Sequence, residues 1–246
     1  MKYMGSKSRI SKQLAPMFNE IIQKHNIKTY IEPFVGGANM IDKIVCERKI
    51  GNDYNKYLIA MWQELQKGWI PPEEITVEHY KDVKEDYKIN GDKYPDYYKG
   101  FIGFCGAFRG LFFDAPACND YVSGGKVRNN YKESRRNILK QLPNVRDVVF
   151  TNYDYKHFNL KDCFIYCDPP YANTSNKGYA DETFDHSEFW DWVRKQSENN
   201  IVLISEYNAP DDFNCLWQKE VTTALSVQNR KKDVEKLFIY KYGKQV

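Results

Sequence analysis

The fold class follows from the segment Thr29-Tyr30-Ile31-Glu32-Pro33-Phe34-Val35-Gly36-Gly37. It begins with apolar residues that are typical of a short strand and ends in a loop that contains proline and glycine. Ile50-Gly51-Asn52-Asp53 is a second short strand that ends on an acid, and helices are predicted over 38–47 and from Asn55 to Gln66. Strands that alternate with helices in this way open a doubly wound parallel sheet, so we predict an α/β fold.

The same alternation returns in the C-terminal part of the chain. Residues 184–199 have the pattern of a helix, and two segments, 219–227 and 235–242, flank a polar stretch and predict a closing hairpin. Apolar runs predict three further strands, at 148–150, 163–167 and 201–205. We therefore expect one sheet to contain strands from both ends of the chain.

Residues 70–145 interrupt the alternation. They begin with Pro71-Pro72 and contain a glycine-rich aromatic stretch at 100–113, and a basic stretch follows. The basic residues could bind phosphates or form a solvated helix face; they are Lys126, Arg128, Lys132, Arg135, Arg136 and Lys140. We predict an inserted domain over 70–145 and one domain formed by 1–69 and 146–246.

Composition excludes several classes of protein. The 246 residues carry a formal net charge of +3, so any surface for nucleic acid must be local rather than global. The six cysteines have no zinc-site spacing, so we expect reduced thiols and no metal site. The chain starts without an apolar signal sequence and has no apolar run of membrane-spanning length, so we expect a soluble, cytoplasmic protein.

Asp168-Pro169-Pro170-Tyr171 is the segment with the clearest chemical character. It directly follows an apolar strand, and ligands in open α/β sheets bind at the carboxyl ends of strands. Two prolines remove two N–H donors, so the Asp168 carboxylate and the Pro169 carbonyl remain as neighbouring acceptors. Such a pair suits a ligand with two hydrogens on one nitrogen, and Tyr171 can stack on the ring that carries it. The structural alternative is a plain proline turn after a strand.

The two acceptors suit methylation of an exocyclic amino group. The lone pair of such a nitrogen is delocalised into the ring, which makes the nitrogen a poor nucleophile. Acceptors on both of its hydrogens favour sp3 geometry and restore density to the lone pair. A sulfonium methyl group held in line would then be transferred through positioning and electrostatics, without a covalent enzyme intermediate.

Several motifs stand in the order that is known from one family. They are Tyr3-Met4-Gly5-Ser6-Lys7, Glu32-Pro33-Phe34-Val35-Gly36-Gly37, Asn52-Asp53 and Asp168-Pro169-Pro170-Tyr171. On these motifs the chain resembles the Dam-type (alpha-group, D12-class) DNA adenine methylases. The likeness continues through 152–155 and 230–237 and thins over 70–145. It implies a Rossmann-like methyltransferase sheet with an antiparallel last strand, an inserted target-recognition domain, and S-adenosylmethionine (AdoMet) as cofactor.

The resemblance also implies roles for individual residues. Residues 3–7 and 34–37 would wrap the methionine part of AdoMet, Asp53 would hold the ribose hydroxyls, and Asp154 with Tyr155 would contact the adenine. The implied catalytic residues are Asp168, Pro169, Pro170 and Tyr171, and the implied cofactor-binding residues are Tyr3, Met4, Lys7, Glu32, Phe34, Gly36, Gly37, Asp53, Asp154, Tyr155 and Asp168. One departure from the family is Ala38, which stands where the glycine-rich loop usually ends in glycine.

Double-stranded DNA is the partner that the resemblance implies, with target recognition in the insertion. Gly110-Leu111 matches the family's recognition loop, whereas Arg109 replaces a typical asparagine and suits contact with guanine. The expected DNA-binding residues are Lys2, Arg109, Gly110, Leu111, Lys126, Arg128, Lys132, Arg135 and Arg136. We expect a monomer that has no obligate protein partner and no contact with a membrane.

The predicted function is site-specific methylation of adenine N6 in duplex DNA, on a base flipped out of the helix. The alternatives are methylation of cytosine N4, methylation of RNA, and a catalytically inactive DNA-binding relative. Cytosine-N4 enzymes more often carry serine in place of Asp168, and an inactive relative would have lost Asp53, Asp168 or Tyr171. All three residues are present, which favours an active adenine enzyme.

Overall fold

A seven-stranded sheet forms the centre of the fold. The computed structural model describes residues 1–171, 184–224 and 230–246. The strands of the sheet are β1 (Thr29–Glu32), β2 (Arg48–Asn52), β5 (Val148–Thr151), β6 (Phe164–Cys167), β7 (Ile201–Glu206), β8 (Phe213–Ala224) and β9 (Arg230–Tyr240). Their order is β5-β2-β1-β6-β7-β9-β8, and a separate hairpin consists of β3 (Asp120–Ser123) and β4 (Lys126–Asn129).

One strand of the sheet, β9, runs in the opposite direction to the others. Each pair of neighbours from β5 to β7 is parallel, whereas β9 is antiparallel to both β7 and β8. This confirms the predicted Rossmann-like methyltransferase sheet with an antiparallel last strand. The strands β8 and β9 form the predicted closing hairpin, and its residues 225–229 lie outside the described residues.

Six α-helices surround the sheet in the part of the chain that the structure describes. They are α1 (Ser11–Lys24), α2 (Lys56–Gln66), α3 (Val77–Lys88), α4 (Asp96–Cys105), α5 (Asn130–Gln141) and α6 (His186–Ser197). The predicted helices at Asn55 to Gln66 and at 184–199 are confirmed by α2 and α6. No helix among the described residues has the length and apolar content needed to cross a membrane.

Aromatic side chains pack helices on both faces of the sheet. On one face, the ring of Phe18 in α1 lies 5.1 Å from that of Phe164 in β6, between centroids. On the other face, Phe189 and Trp192 of α6 share a second core with Ile165. Because parallel strands end at one edge of a sheet, the motifs that follow β1, β2 and β6 come together there.

The predicted helix over 38–47 is wrong. This segment contains a short 3-10 turn, Ile41–Lys43. Ala38 has a φ of 52°, and the side-chain amide of Gln141 donates to the carbonyl oxygens of Gly37 (3.1 Å) and Ala38 (2.7 Å). Tertiary hydrogen bonds therefore satisfy carbonyl groups that the first turn of a helix would have used.

Residues 70–145 pack directly on the rest of the chain. The helix α4 lies so close to α2 that a Cβ on Gly100 would collide with the carbonyl oxygen of Tyr57. Tyr131 of α5 belongs to the same hydrophobic core as Tyr30 of β1. The insertion thus shares a core with the sheet, and its role as a target-recognition domain stays a prediction.

Candidate active site

Asp168 and Lys7 form an ion pair at the carboxyl end of β6. The Nζ atom of Lys7 lies 3.1 Å from Oδ1 of Asp168, and the two side chains are 8% and 22% exposed. Lys7 begins a short 3-10 turn in which Ser6 accepts a hydrogen bond from the amide of Ser8. Burial raises the pKa of Asp168 to about 6, while the charge of Lys7 lowers it and that of Glu235 raises it.

Tyr171 completes a compact group with Lys7 and Glu235. Its hydroxyl donates to Oε2 of Glu235 over 2.7 Å and accepts from Nζ of Lys7 over 2.5 Å. Nζ of Lys7 also lies 4.2 Å from the centroid of the Tyr171 ring. The ring of Tyr207, which follows β7, stands at 83° to that of Tyr171 with 4.7 Å between centroids. The structure therefore brings together the predicted residues Lys7, Asp168 and Tyr171.

Asp53 directly follows the strand β2, which is separated from β6 by β1. Its carboxylate accepts hydrogen bonds from the backbone amides of Gly36 and Asn55, each over 3.0 Å. Burial raises the pKa of Asp53 to about 6, although both hydrogen bonds oppose the shift. The side chain of Asn52 donates to the carbonyl oxygen of Tyr153 (2.9 Å) and so joins the ends of β2 and β5.

Tyr3 packs on the glycine-rich loop. Gly36 has a φ of +46°, and a Cβ on it would lie 2.8 Å from Cε1 of Tyr3. A Cβ on Gly37 would lie 2.9 Å from Cβ of Tyr3. Ala38 carries a side chain at a φ of 52°, a left-handed conformation that favours glycine. The predicted N-terminal motif and the predicted loop therefore meet.

An aromatic group lies beside Asp53. The ring of Phe34 packs 5.4 Å from that of Tyr155, between centroids. Asp154, just before Tyr155, accepts a hydrogen bond from the amide of Lys156 over 2.9 Å and begins a 3-10 turn. The carboxylate of Asp154 thus fixes the local backbone and is 46% exposed.

Glu32 is a buried acid at the end of β1. It is 3% exposed and accepts a hydrogen bond from the hydroxyl of Tyr30 over 2.8 Å. Burial raises its pKa well above the usual range, and the neighbouring charge of Asp168 acts in the same direction. Met4 is half-buried in the N-terminal segment. Burial and the Asp168 charge therefore both favour the protonated form of Glu32.

A family model covers most of the chain. It describes the D12 class of N6 adenine-specific DNA methyltransferases and matches residues 3–100 and 119–230. The chain belongs to this family. Arg109, Gly110 and Leu111 lie in the unmatched interval, and Glu235 lies beyond the matched residues.

Relatives of the D12-class chain are named as methyltransferases. The type II methyltransferase M.FokI of Planomicrobium okeanokoites is 23% identical over 85% of this chain and 34% of its own length. The type II methyltransferase M.MjaIII of Methanocaldococcus jannaschii is 24% identical over 89% of this chain and 87% of its own length. A DNA adenine methylase of Vibrio cholerae is 25% identical over 77% and 76%. The D12-class chain thus spans about a third of M.FokI (34%) and most of the other two.

Two basic residues of the D12-class chain, both expected at DNA, meet on one acid. Glu133 accepts two hydrogen bonds from Arg128, over 2.7 and 2.9 Å, and one from Nζ of Lys2 over 2.9 Å. Arg128 and Lys2 hold the pKa of Glu133 down, to about 2. Lys2 donates also to Asn130 over 2.9 Å. The hairpin of β3 and β4 is therefore linked to the N-terminal segment through the start of α5.

The predicted recognition loop lies against the same N-terminal segment. Arg109 has a φ of 58° and Gly110 a φ of 71°, and a Cβ on Gly110 would lie 2.6 Å from the carbonyl oxygen of Lys2. The side chain of Arg109 is exposed, with its guanidinium carbon 5.1 Å from the centroid of the Phe108 ring. Leu111 is half-buried and Lys126 is exposed. Lys2, Arg109, Gly110 and Arg128 thus belong to one region.

Two basic residues of α5 contact the start of the insertion rather than the N-terminal segment. Lys132 forms an ion pair with Glu74, and Nε of Arg135 donates to the carbonyl oxygen of Pro71 over 3.0 Å. Arg136 is exposed. Lys132 and Arg135 thus hold the start of the insertion, and their contact with DNA stays a prediction.

The sequence did not predict three residues that contact the sites described above. Glu235 stands within the stretch 230–237 that resembles the family, but only the structure shows that it contacts Lys7 and Tyr171. Glu133 is the acid within the basic stretch, and Tyr207 follows β7 as Asp168 follows β6. Their positions at strand ends and among opposite charges are signals that a sequence search could use.

Proposed function

We propose that this chain transfers a methyl group from AdoMet to the N6 amino group of a flipped-out adenine in duplex DNA. The observation that carries the proposal is the position of Asp168. Its carboxylate follows β6, is 22% exposed, and pairs with Lys7 beside Tyr171. An acceptor with this exposure can reach an exocyclic amine while remaining fixed in place.

The chemistry requires Asp168 in its ionised form. The carboxylate and the carbonyl oxygen of Pro169 would accept the two amine hydrogens and raise the electron density on nitrogen. The ring of Tyr171 would stack on the adenine and hold it in line with the methyl donor. Burial raises the pKa of Asp168 to about 6, so the carboxylate is mostly ionised at neutral pH.

The residues around β1 and β2 fit AdoMet as cofactor. Phe34 and Tyr155 offer aromatic faces for an adenine ring, and Asp53 offers a carboxylate for ribose hydroxyls. Glu32 offers a buried acid for an ammonium group. AdoMet supplies an electrophilic methyl group on a sulfonium. In this proposal Tyr3, Met4, Lys7, Gly36, Gly37 and Asp154 complete the cofactor site.

Duplex DNA fits the exposed basic region. An adenine amino group is paired in a duplex, so the base must leave the stack before it reaches Asp168. The hairpin of β3 and β4 is exposed and carries Lys126 and Arg128, and a two-stranded ribbon fits the major groove. Lys2, Arg109, Gly110 and Leu111 would contact the target beside it, while Lys132, Arg135 and Arg136 would bind phosphates.

The names of the relatives support DNA as substrate. The proteins named above are two type II methyltransferases and one DNA adenine methylase. An acid at position 168 favours adenine over cytosine N4. We propose that the chain acts as a monomer.

The experiment identifies the methylated nucleoside. Wild-type protein and Asp168→Asn are incubated with tritiated AdoMet and unmethylated duplex DNA of mixed sequence, and AdoMet affinity is measured for both. We expect label in N6-methyladenine with the wild type only, and AdoMet binding by both proteins. Label in N4-methylcytosine, or label in RNA but not in DNA, would overturn the substrate. Cofactor binding without any transfer would indicate an inactive DNA-binding relative.

A further inference from the structure

Glu235 reaches the active site because β9 extends past the carboxyl end of its antiparallel neighbour β7, whose last residue, Glu206, pairs with Lys236. Cys167, the last residue of β6, pairs with Ile204 of β7, and Ile204 pairs with Phe238 of β9. The strand β9 runs in the opposite direction, so its earlier residues lie beyond the carboxyl edge of the sheet. Glu235 pairs with Lys219 of β8 in this overhang. The closing hairpin thus delivers an acid to the edge where Asp168 stands.

Glu235 makes two contacts that bear on catalysis. Its Oε2 atom accepts the hydroxyl of Tyr171 over 2.7 Å and lies 3.4 Å from Nζ of Lys7. The same ammonium lies 3.1 Å from Oδ1 of Asp168. The side chain of Glu235 is 13% exposed, so both contacts are largely shielded from water. Lys7 is therefore shared between two carboxylates rather than held by Asp168 alone.

We propose that Glu235 is a positioning residue of the methyl-transfer site, which fixes the ring of Tyr171 through its hydroxyl and draws the ammonium of Lys7 partly away from Asp168. This inference rests on the proposed function. Glu235 would touch neither adenine nor cofactor. It would act on Tyr171, which stacks on the base, and, through Lys7, on Asp168, which accepts an amine hydrogen.

Because Lys7 is shared between Glu235 and Asp168, it competes less strongly with adenine for the Asp168 carboxylate. An ammonium is a stronger hydrogen-bond donor than a neutral exocyclic amine, so Lys7 competes with adenine for the acceptor atoms of Asp168. A second carboxylate weakens this competition while the positive charge still balances the buried acid. The hydroxyl of Tyr171, which burial keeps protonated by raising its pKa, donates to Glu235 and so restricts rotation of the ring.

A charge-only substitution separates the two contacts. Glu235→Gln keeps an oxygen that can accept from Tyr171 but removes the negative charge, whereas Glu235→Ala removes both. The charged and titratable groups around Asp168 are Lys7, Glu32, Tyr166, Cys167, Tyr171 and Glu235. Among them Glu235 raises the pKa of Asp168 and Lys7 lowers it. Loss of the Glu235 charge therefore lowers the pKa of Asp168.

The test is a pH profile of single-turnover methylation at saturating AdoMet. We expect the acid limb of Glu235→Gln to move to lower pH and its plateau rate to fall. We expect Glu235→Ala to lose a further tenfold or more, on the order of the loss that a misplaced reacting group causes. Glu220→Gln, on the exposed face of β8, makes the same charge change on the hairpin and should leave the profile unchanged.

A double-mutant cycle tests the contact with Tyr171. If Glu235 acts through the hydroxyl, Glu235→Ala costs less in a Tyr171→Phe background than in the wild type. A merely structural role would lower the rate equally at every pH, leave the acid limb in place and give additive losses, and that result would overturn the inference. Failure of the proposed function would look different, because the wild type itself would then methylate no adenine.

Discussion

The ammonium of Lys7 lies 3.1 Å from Oδ1 of Asp168, so the N-terminal motif and the proline motif meet as an ion pair. Lys7 is 8% exposed, and bulk water screens a pair at this depth only weakly. The charge state of the Asp168 carboxyl group therefore depends on a residue of the N-terminal motif. This dependence gives the first two predictions.

Activity should fall as the pH decreases through about 6, the raised pKa of Asp168. Below this value the carboxyl is protonated and accepts the amine hydrogens poorly, so the rate should drop about tenfold per pH unit. Single-turnover rates at saturating AdoMet, between about pH 5 and about pH 8, measure this limb. Asp53 has a pKa of about 6 as well, so AdoMet affinity is recorded separately at each pH. A rate that stays flat down to about pH 5 would contradict the role of Asp168.

Lys7→Met should move the acid limb of the pH–rate profile to higher pH. Glu235→Gln is expected to move the same limb to lower pH. The charge of Lys7 lowers the pKa of Asp168, so its loss lets burial raise that pKa further. Activity near neutral pH should fall and partly recover when the pH increases. The matched control is Lys12→Met, a loss of the same charge from an exposed position on α1. An unmoved limb in Lys7→Met would show that the ion pair does not govern Asp168.

Gly36→Ala should weaken AdoMet binding and destabilise the fold. Gly36 has a φ of +46°, and the added Cβ would lie 2.8 Å from the ring of Tyr3, so we expect a loss of about 1–3 kcal/mol in the free energy of unfolding. Calorimetry with and without AdoMet measures both effects. Ala38→Gly is the contrast, because glycine adopts the φ of 52° at that position without strain. Equal stability of the two variants would contradict the steric conflict expected between Tyr3 and a side chain at position 36.

Glu133→Gln should strengthen binding to non-specific duplex DNA. The substitution weakens the hold on Arg128 and Lys2, and two more available cations should tighten binding about three- to tenfold at low salt. The slope of log affinity against log salt should steepen by up to about two. Glu85→Gln controls for net charge, since Glu85 pairs with Lys88 on the exposed surface of α3. If both variants bind DNA equally, Glu133 does not restrain the basic region.

Arg109→Ala should relax the choice of target sequence. A bidentate contact between arginine and guanine is worth about 1–3 kcal/mol of discrimination, or about 5- to 150-fold. Sequencing of methylated sites before and after the substitution measures the change at each base position. Arg136→Ala, from the exposed face of α5, should instead weaken methylation at all sites alike. A uniform loss with Arg109→Ala would mean that Arg109 contacts only the backbone of DNA.

Local patterns predicted most of the sheet and the edge at which the sequence motifs lie. Apolar runs and helical periods gave the strands β1, β2, β6 and β7 and the helices α2 and α6, because these elements bury one face each. The position of Asp168, Asp53 and Gly36 at one edge of the sheet followed from one rule, that parallel strands end at a common edge. Such features depend on residues that are near in sequence or on topology alone.

The features that the sequence did not predict depend on contacts between residues that are distant in sequence. Residues 38–47 have apolar residues at suitable positions, yet the amide of Gln141 binds the carbonyl groups at the start of that segment. Glu235 reaches Tyr171 only through the register and overhang of β9. Glu133 binds Lys2 from the far side of the insertion. No period or motif encodes these distant pairings.

The insertion and the sheet share one hydrophobic core, and this limits how the choice of DNA target could change under the proposed function. Tyr131 is 1% exposed in the core that also holds Tyr30, so grafting residues 70–145 from a relative would cut through packed side chains on both sides. The hairpin at its tip differs, with Val122 74% and Val127 71% exposed, so substitutions there leave the packing untouched. Under the proposed function, target choice should therefore change through single substitutions in the β3–β4 hairpin rather than through exchange of the whole insertion.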